Sequence, residues 1–297
     1  MKRGQRVAKI FLWMCAKSVT PSTPESKKWL IPVAESTALT SALVDGPSPS
    51  KERLWAVLTT ALMLSAAPPI VAYCPPPDSF SPPMAVHSVT DGDTIRLESG
   101  QRVRIPGMNT FELKDSGWRK SMADQAKRHA ETIIDTPVVL SPWPARKDRY
   151  GRLLANVWLG DQYVSESLVR AGLALVVTVP PDDRLAGCLQ RHERDARAKK
   201  RGLWAMGRLP ASLSQLPEHA GGFQYVKGRV TAVAPLSGSL VILDGQLAVR
   251  WPDSMGLPTE GSVWLVRGWL SRSRGRTRAY ADWFVRAQDP RNLERGF

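Results

Sequence analysis

Two short runs of this sequence bring together groups that could do chemistry. In DGDT, Asp91 to Thr94, two carboxylates flank a glycine, and in RIPGMNTFE, Arg104 to Glu112, a guanidinium is followed closely by an amide, a hydroxyl and a carboxylate. Asp91 and Asp93 have the same parity and point to the same side of the chain. Their charges therefore repel unless something positive lies beside them. If the second run folds alongside the first, the Asp93 carboxylate, Asn109, the Thr110 carbonyl and Glu112 form a set of oxygen donors suited to a hard cation such as calcium or magnesium. A third run, KDRYGRLLANVW from Lys147 to Trp158, places a turn at Tyr150-Gly151 and starts a strand at Arg152. Arg104 also ends a strand. Two guanidinium forks facing one cation-bound oxygen cluster would clamp a phosphate and stabilise charge developing on five-coordinate phosphorus. Taken singly, Asp-Gly is an ordinary turn and either arginine an ordinary solvated strand end. Only the combination points to a site.

The elements that must position these groups follow from the patterning. AVHSVTDGDTIRLESGQRVRI predicts three short alternating strands, turning at Asp91-Gly92 and Ser99-Gly100, with Pro106-Gly107 ending the third. Ser116 can cap a helix running to about Asp135, with Met122, Ala126 and Ala130 on one face and Thr136-Pro137 as its stop. VVLSPW and RLLANVWL read as a fourth and a fifth strand, the latter closed by Gly160-Asp161. YVSESLVRAGLA reads as a short helix and Asp182–Arg201 as a long charged one ended by Gly202. That order is consistent with a small twisted barrel carrying helices at its rim. Residues 207–220, rich in Ser, Pro and Leu, read as a linker. From 221 to 295 the pattern becomes five alternating strands (GRVTAVA, SLVILDG, LAVRWP, SVWLVRGWLS and RAYADWFVRA) with no convincing helix, a second small all-β unit. Within it, SRSRGRTR (Ser271 to Arg278) is a basic hairpin between strands carrying Trp264, Trp269 and Trp283. It could grip a nucleic-acid backbone beside a stacking aromatic, or simply be a solvated hairpin over a tryptophan-rich core.

At these residues the chain resembles the staphylococcal nuclease (thermonuclease) family, over about Val86 to Trp204. DGDTIRL with Arg104 and the loop to Glu112, the run DRYGRLLANVW, and VSESLVRAGLA with RAKKRGLW carry the resemblance. It implies an α+β, mainly β fold: a five-stranded OB barrel with three helices over 85–206. The strand pattern that follows at 221–295 is most economically another small, OB-like barrel. The resemblance also implies an endonuclease, a hydrolase of DNA and RNA phosphodiester bonds with little sequence preference and calcium (Ca2+) as cofactor. By the same resemblance Asp93, Asn109 and Thr110 would hold the metal, the threonine through its backbone carbonyl. Glu112 would be the general base on, or orient, the attacking water, with Arg104 and Arg152 the phosphate clamp. Arg149 and Tyr150 would line the nucleotide pocket. Asn109 departs from the family pattern, which usually has a second aspartate there, so weaker calcium binding is expected. Phe111 replaces the usual proline, which should leave the loop less rigid. LVVTVPPDD after Ala174 lacks the tyrosines that wall the site in the family, so base stacking there should be poorer. The alternative from another class is a catalytically weak or inactive barrel that binds nucleic acid or a protein partner.

The bulk numbers fit a polyanion-binding protein. The 297 residues are 43% hydrophobic, enough for two modest cores, and carry a net charge of +14. The charge is spread: 9 basic against 5 acidic residues in 1–84, 20 against 15 in 85–206, and 12 against 7 in 207–297. Three cysteines, Cys15, Cys74 and Cys188, imply no disulfide framework and no zinc spacing. The histidines His87, His129, His192 and His219 show no ligand spacing either, and no feature points to a dedicated protein partner.

Residues 51–74, KERLWAVLTTALMLSAAPPIVAYC, follow the basic, apolar, small-residue order of a secretory signal, with Ile70 and Ala72 at the −3 and −1 positions. Tyr73 is too large for the last position of a lipoprotein box. Residues 1–50 read as a disordered extension or as a misassigned start, the true one lying near Val44; the mass of the native N-terminus distinguishes these. The protein is therefore expected to be exported, periplasmic or secreted, or anchored in a membrane through 54–72 if the signal stays uncleaved.

Overall fold

The computed structural model describes residues 73–132, 136–181, 184–216, 221–236, 238–287 and 289–296. The extension 1–50 and nearly all of the signal-like stretch lie outside the described residues. Ile70–Phe297 forms one compact unit.

The first half of that unit is a barrel. Its strands are β1 (Val86–Asp91), β2 (Thr94–Leu97), β3 (Arg102–Arg104), β5 (Val139–Lys147) and β6 (Leu153–Leu159), hydrogen-bonded in the order β1-β2-β3-β6-β5. A bridge between Met84 and Val138 closes the ring. All neighbours are antiparallel except β3 and β6, which run parallel. The two-residue strands β4 (Met108–Asn109) and β8 (Leu175–Val176) pair separately, and β7 (Gln162–Tyr163) adds to β6. Alternation, shifted in β1 by a bulge between Val86 and Ser88, places Val86, Val89, Ile95, Leu97, Val103 and Val157 inside, where burial of apolar surface is the main stabilising term.

Three α-helices lie among the described residues, α1 (Gly117–Glu131), α2 (Val164–Arg170) and α3 (Ala186–Ala198). The expected face of α1 is buried, Met122, Ala126 and Ala130 together with Ala123. Ser116 stands at its N-cap, but its side chain makes no capping bond. The helix runs over Gly117–Glu131, with the Thr132 hydroxyl donating to the His129 carbonyl at 2.8 Å, and residues 133–135 of the expected span lie outside the described residues. The long charged helix is shorter than Asp182–Arg201. Its last turn unwinds through Lys200 at φ 50° into a 3-10 turn beginning at Gly202.

The second half is a second ring with the same strand logic. Strands β10 (Gly222–Leu236), β11 (Gly238–Leu243), β12 (Leu247–Arg250), β14 (Trp283–Arg286) and β13 (Val263–Arg272) follow in that spatial order, and β13 pairs back onto β10. As in the first ring, the third and last strands, β12 and β14, are the parallel pair. The long β10 closes the ring by serving two neighbours, β13 along Gly222–Arg229 and β11 from Val230 onward. A short β15 (Leu293–Arg295) borders β13. The basic segment after β13 is not a plain hairpin, since it folds through a 3-10 turn at Gly275–Ala279.

The Ser, Pro and Leu stretch between the rings is partly structured. Ala211–Ser212 forms β9, parallel to β10, and Leu213 is buried in the second core. A third apolar cluster joins Met122, Leu175, Ala196, Leu203 and Trp204 to Tyr225 of β10. Around it lies a buried ionic knot. Arg267 of β13, 2% exposed, donates to the Val176 carbonyl (2.9 Å) and to Glu193 of α3 (2.6 Å) and pairs with Glu294 of β15. Arg197 of α3 pairs with Glu294 at 3.1 Å and donates to the Tyr225 hydroxyl at 2.7 Å.

Candidate active site

The DRYGR turn is built by its own aspartate. The Asp148 carboxylate accepts from the backbone N–H of Tyr150 (2.9 Å) and of Arg152 (3.0 Å), and Gly151 takes the left-handed conformation that lets the chain reverse. The second carboxylate oxygen accepts from Arg152 Nε at 2.7 Å, which aims the guanidinium. Burial is the largest single influence on Asp148 and opposes its charge, but the bonds from Arg152 and from the turn backbone together outweigh it and hold its carboxyl below the usual aspartate range.

Asp93 is the hub. It sits buried at the β1–β2 turn, where it accepts the Thr94 hydroxyl at 3.1 Å, the Thr110 N–H at 3.1 Å and Arg104 at 3.1 Å. Arg152 donates to the Thr94 hydroxyl at 3.2 Å, so one carboxylate is linked to both arginines. Strand register explains the meeting. Thr94 pairs with Arg104 across β2 and β3, and β3 lies beside β6, which Arg152 precedes. Asn109 is fixed by the β4–β8 pair opposite Leu175. Its Oδ1 accepts from Arg104 at 3.2 Å and its Nδ2 donates to the Thr110 carbonyl at 2.7 Å. Phe111, expected to loosen this loop, instead packs edge-on against Trp118 with centroids 5.0 Å apart.

These groups line one cavity of about 370 Å³. Glu112 lies at its exposed mouth, and Arg149 and Tyr150 stand on its wall with the Arg149 guanidinium 4.8 Å from the Tyr150 ring centre. All eight residues singled out from the sequence border it, the metal candidates Asp93, Asn109 and Thr110 included. Burial, and then the neighbouring Asp93 carboxylate, push Asp91 up to about 7. Two carboxylates crowded among oxygen donors are an arrangement that a divalent cation relieves, so the donor set fits calcium. Arg104 already neutralises Asp93, however, and the Thr110 carbonyl is covered by Asn109.

Several groups of the site were given no role from the sequence. Asp91 was read with Asp93 for its parity and repulsion but assigned no task, and Thr94 belongs to the same motif. Asp148 could have been inferred from the Asx-type turn that DRYG favours. Arg119 gave no local signal. It lies over the Phe111 and Trp118 rings and donates to Gln224 of β10 at 3.0 Å, with burial lowering its pKa.

The cysteines also correct the sequence reading. Cys74 and Cys188 form a disulfide across 114 residues, a pairing that the odd count concealed because three cysteines do not say which one is left over; Cys15 lies outside the described residues. The buried His192 sits beside this bridge, 3.3 Å from Glu166, which also accepts the Cys74 N–H at 2.9 Å.

Residues 102–206 match the model of the family described as staphylococcal nuclease homologue. The chain is 32% identical over 127 residues to the thermonuclease of Staphylococcus intermedius, covering 40% of this chain and 74% of that protein. It is 31% identical over 125 residues to the thermonuclease of Staphylococcus hyicus, 39% and 72% of the two chains. Against endonuclease YncB of Bacillus subtilis (strain 168) it is 32% identical over 122 residues, 39% and 58%. The second ring lies beyond the matched family segment. The shared barrel, the motifs that meet in its cleft and these likenesses place the chain in the staphylococcal nuclease family.

Proposed function

We propose that the protein is an exported, calcium-dependent nuclease that hydrolyses phosphodiester bonds of DNA and RNA with little sequence preference. The observation that carries this reading is the linkage of Arg104 and Arg152 through Asp93 and Thr94 within one cleft that has Glu112 at its mouth. A phosphate entering the cleft would meet the Arg152 guanidinium, aimed by Asp148, and would draw that of Arg104 from the Ile105 and Met108 carbonyls to which it donates; their charge is worth most as negative charge builds on phosphorus. Glu112 takes the proton of the attacking water as its oxygen bonds to phosphorus, and the ester bond breaks with its electron pair leaving on the alcohol oxygen. Asp93, Asn109 and the Thr110 carbonyl would hold the calcium ion, which supplies positive charge against the phosphate oxygens. Contacts to backbone phosphate alone account for low sequence preference.

The test is hydrolysis of single-stranded DNA by the full chain across calcium from micromolar to tens of millimolar, beside Glu112→Ala. Activity that needs high calcium and falls by at least about a hundredfold in the variant supports the enzyme. Silence at every calcium level, with Asn109→Asp also silent, overturns it in favour of the second reading, a binding module. That reading draws support from Asn109 and Arg104 already satisfying the metal-site oxygens. Export draws support from the Cys74–Cys188 bridge, since disulfides persist in oxidising compartments. It would also leave Cys74 unavailable for lipid attachment. Recovery of the native protein in the cytosol with free thiols would contradict export.

A further inference from the structure

The second ring reaches into the cleft. Phe223 and Gln224 at the start of β10 and Trp269 on β13 line the same cavity as Arg104, Glu112 and Arg152. Phe223 and Trp269 are register partners, and their rings meet edge-on at 5.3 Å. Trp269 is 46% exposed between the buried Gly268 and Leu270, so strand alternation turns it outward from its own barrel. A second cavity of about 500 Å³ adjoins the first and has a different character. Pro106, Met108, Leu154, Val177 and Val179 make much of its wall. The two cavities share Arg104, Arg149, Tyr150, Arg152 and Trp269. A charged chamber for phosphate therefore opens into an apolar one large enough for a base, with an exposed tryptophan at the join. The segment expected to wall this region, Leu175 to Asp183, offers no aromatic ring.

We infer that Trp269 is a stacking platform for an unpaired base, supplied by the second ring where the 175–183 segment offers no ring and set in the same cavities as Tyr150 of the first ring, and that the preferred ligand is single-stranded oligonucleotide. The inference rests on the nuclease reading only for the position of the phosphate. Stacking of this kind tolerates any base but requires one, because it uses the base's π-face and not its hydrogen-bonding edge.

The experiment measures binding and not turnover. Full-length Glu112→Ala protein in EDTA is titrated against a labelled eight-residue oligothymidylate and against an abasic strand of the same length, with Trp269 intact, Trp269→Ala and Trp269→Phe. Trp269→Ala should weaken binding to the oligothymidylate about tenfold and leave the abasic strand unaffected, and Trp269→Phe should recover most of the loss. An equal loss on both strands, or no loss on either, overturns the platform. If the wild type cleaves DNA while the variants bind both strands alike, the platform falls and the nuclease reading stands. If base-dependent binding through Trp269 is seen in a protein that cleaves nothing, the platform stands and the nuclease reading falls.

Discussion

Asn109 illustrates what one atom changes at the scale of a residue. Its Nδ2 covers the Thr110 carbonyl and its Oδ1 shares the Arg104 guanidinium with Asp93. A carboxylate at this position could not donate to that carbonyl. It would uncover one oxygen ligand, add a second and contribute a negative charge. Asn109→Asp should therefore lower the calcium concentration for half-maximal hydrolysis, by roughly tenfold; an unchanged or higher requirement would show that the amide does not limit metal binding. The residues of this site were legible in the sequence where the chain keeps them in contiguous runs, as with Arg104 to Glu112 and Lys147 to Arg152. Arg119 was not, because no neighbour in sequence shares its task, and Trp269 could be read only as one of three tryptophans beside a basic segment, with nothing to join it to this cleft. They meet the site only through packing between distant segments.

At the scale of elements, the β1–β2 turn is clamped between α1 and the loop that follows β4. A Cβ at Gly92 would lie 2.7 Å from both the Ala126 Cβ and the Thr110 Cγ2, and 3.2 Å from the Ala126 backbone. Gly92→Ala should cost about 1–3 kcal/mol of stability, since no flexible side-chain end is there to yield. It should also depress activity at saturating calcium by displacing Thr110 and Asp93 together. Chemical denaturation and hydrolysis rate measured on one preparation check both, and a variant as stable and active as the parent would contradict the clamp. The alternation that marks the strands and the small-residue face of α1 were readable because each is a local, periodic consequence of burial. Helix ends were less so. The unwinding through Lys200 towards Gly202 brings the Leu203 N–H onto the Gly172 carbonyl at 2.9 Å, a contact with a distant segment that no local pattern announces.

At the scale of the whole molecule, two rings of the same topology are fastened by a buried ionic knot. Burial opposes the charge on Arg267, but Glu193, Tyr225 and Glu294 outweigh it and hold its pKa above the ordinary arginine value. Burial likewise opposes the Glu294 charge, while Arg267 and then Arg197 keep its carboxyl below the ordinary 4.5. Arg267→Met strands Glu193 without its partner and should cost about 3–5 kcal/mol, with the rings separating before either melts. Calorimetry would reveal this as a split transition, and a single unshifted one would contradict the knot. Because the folded pKa of Glu294 is depressed, its contribution is present above its unfolded value and is lost as pH falls through the folded one. The stability difference between the parent and Glu294→Gln should therefore shrink below about pH 4.5. None of this knot was visible in the sequence, since its members come from α3, β10, β13 and β15.

The Cys74–Cys188 bridge has a topological consequence. It makes residues 74–188 a covalent hoop containing every charged residue of the phosphate and metal site, with Phe223 and Trp269 on the tail beyond it. A protease that nicks the hoop once leaves a single linked molecule, its two ends still joined through the bridge. A cut in the tail between Cys188 and Trp269 instead detaches the tryptophan from the hoop in covalent terms, so the same insult would spare the cleft's charged groups at one address and threaten grip at the other.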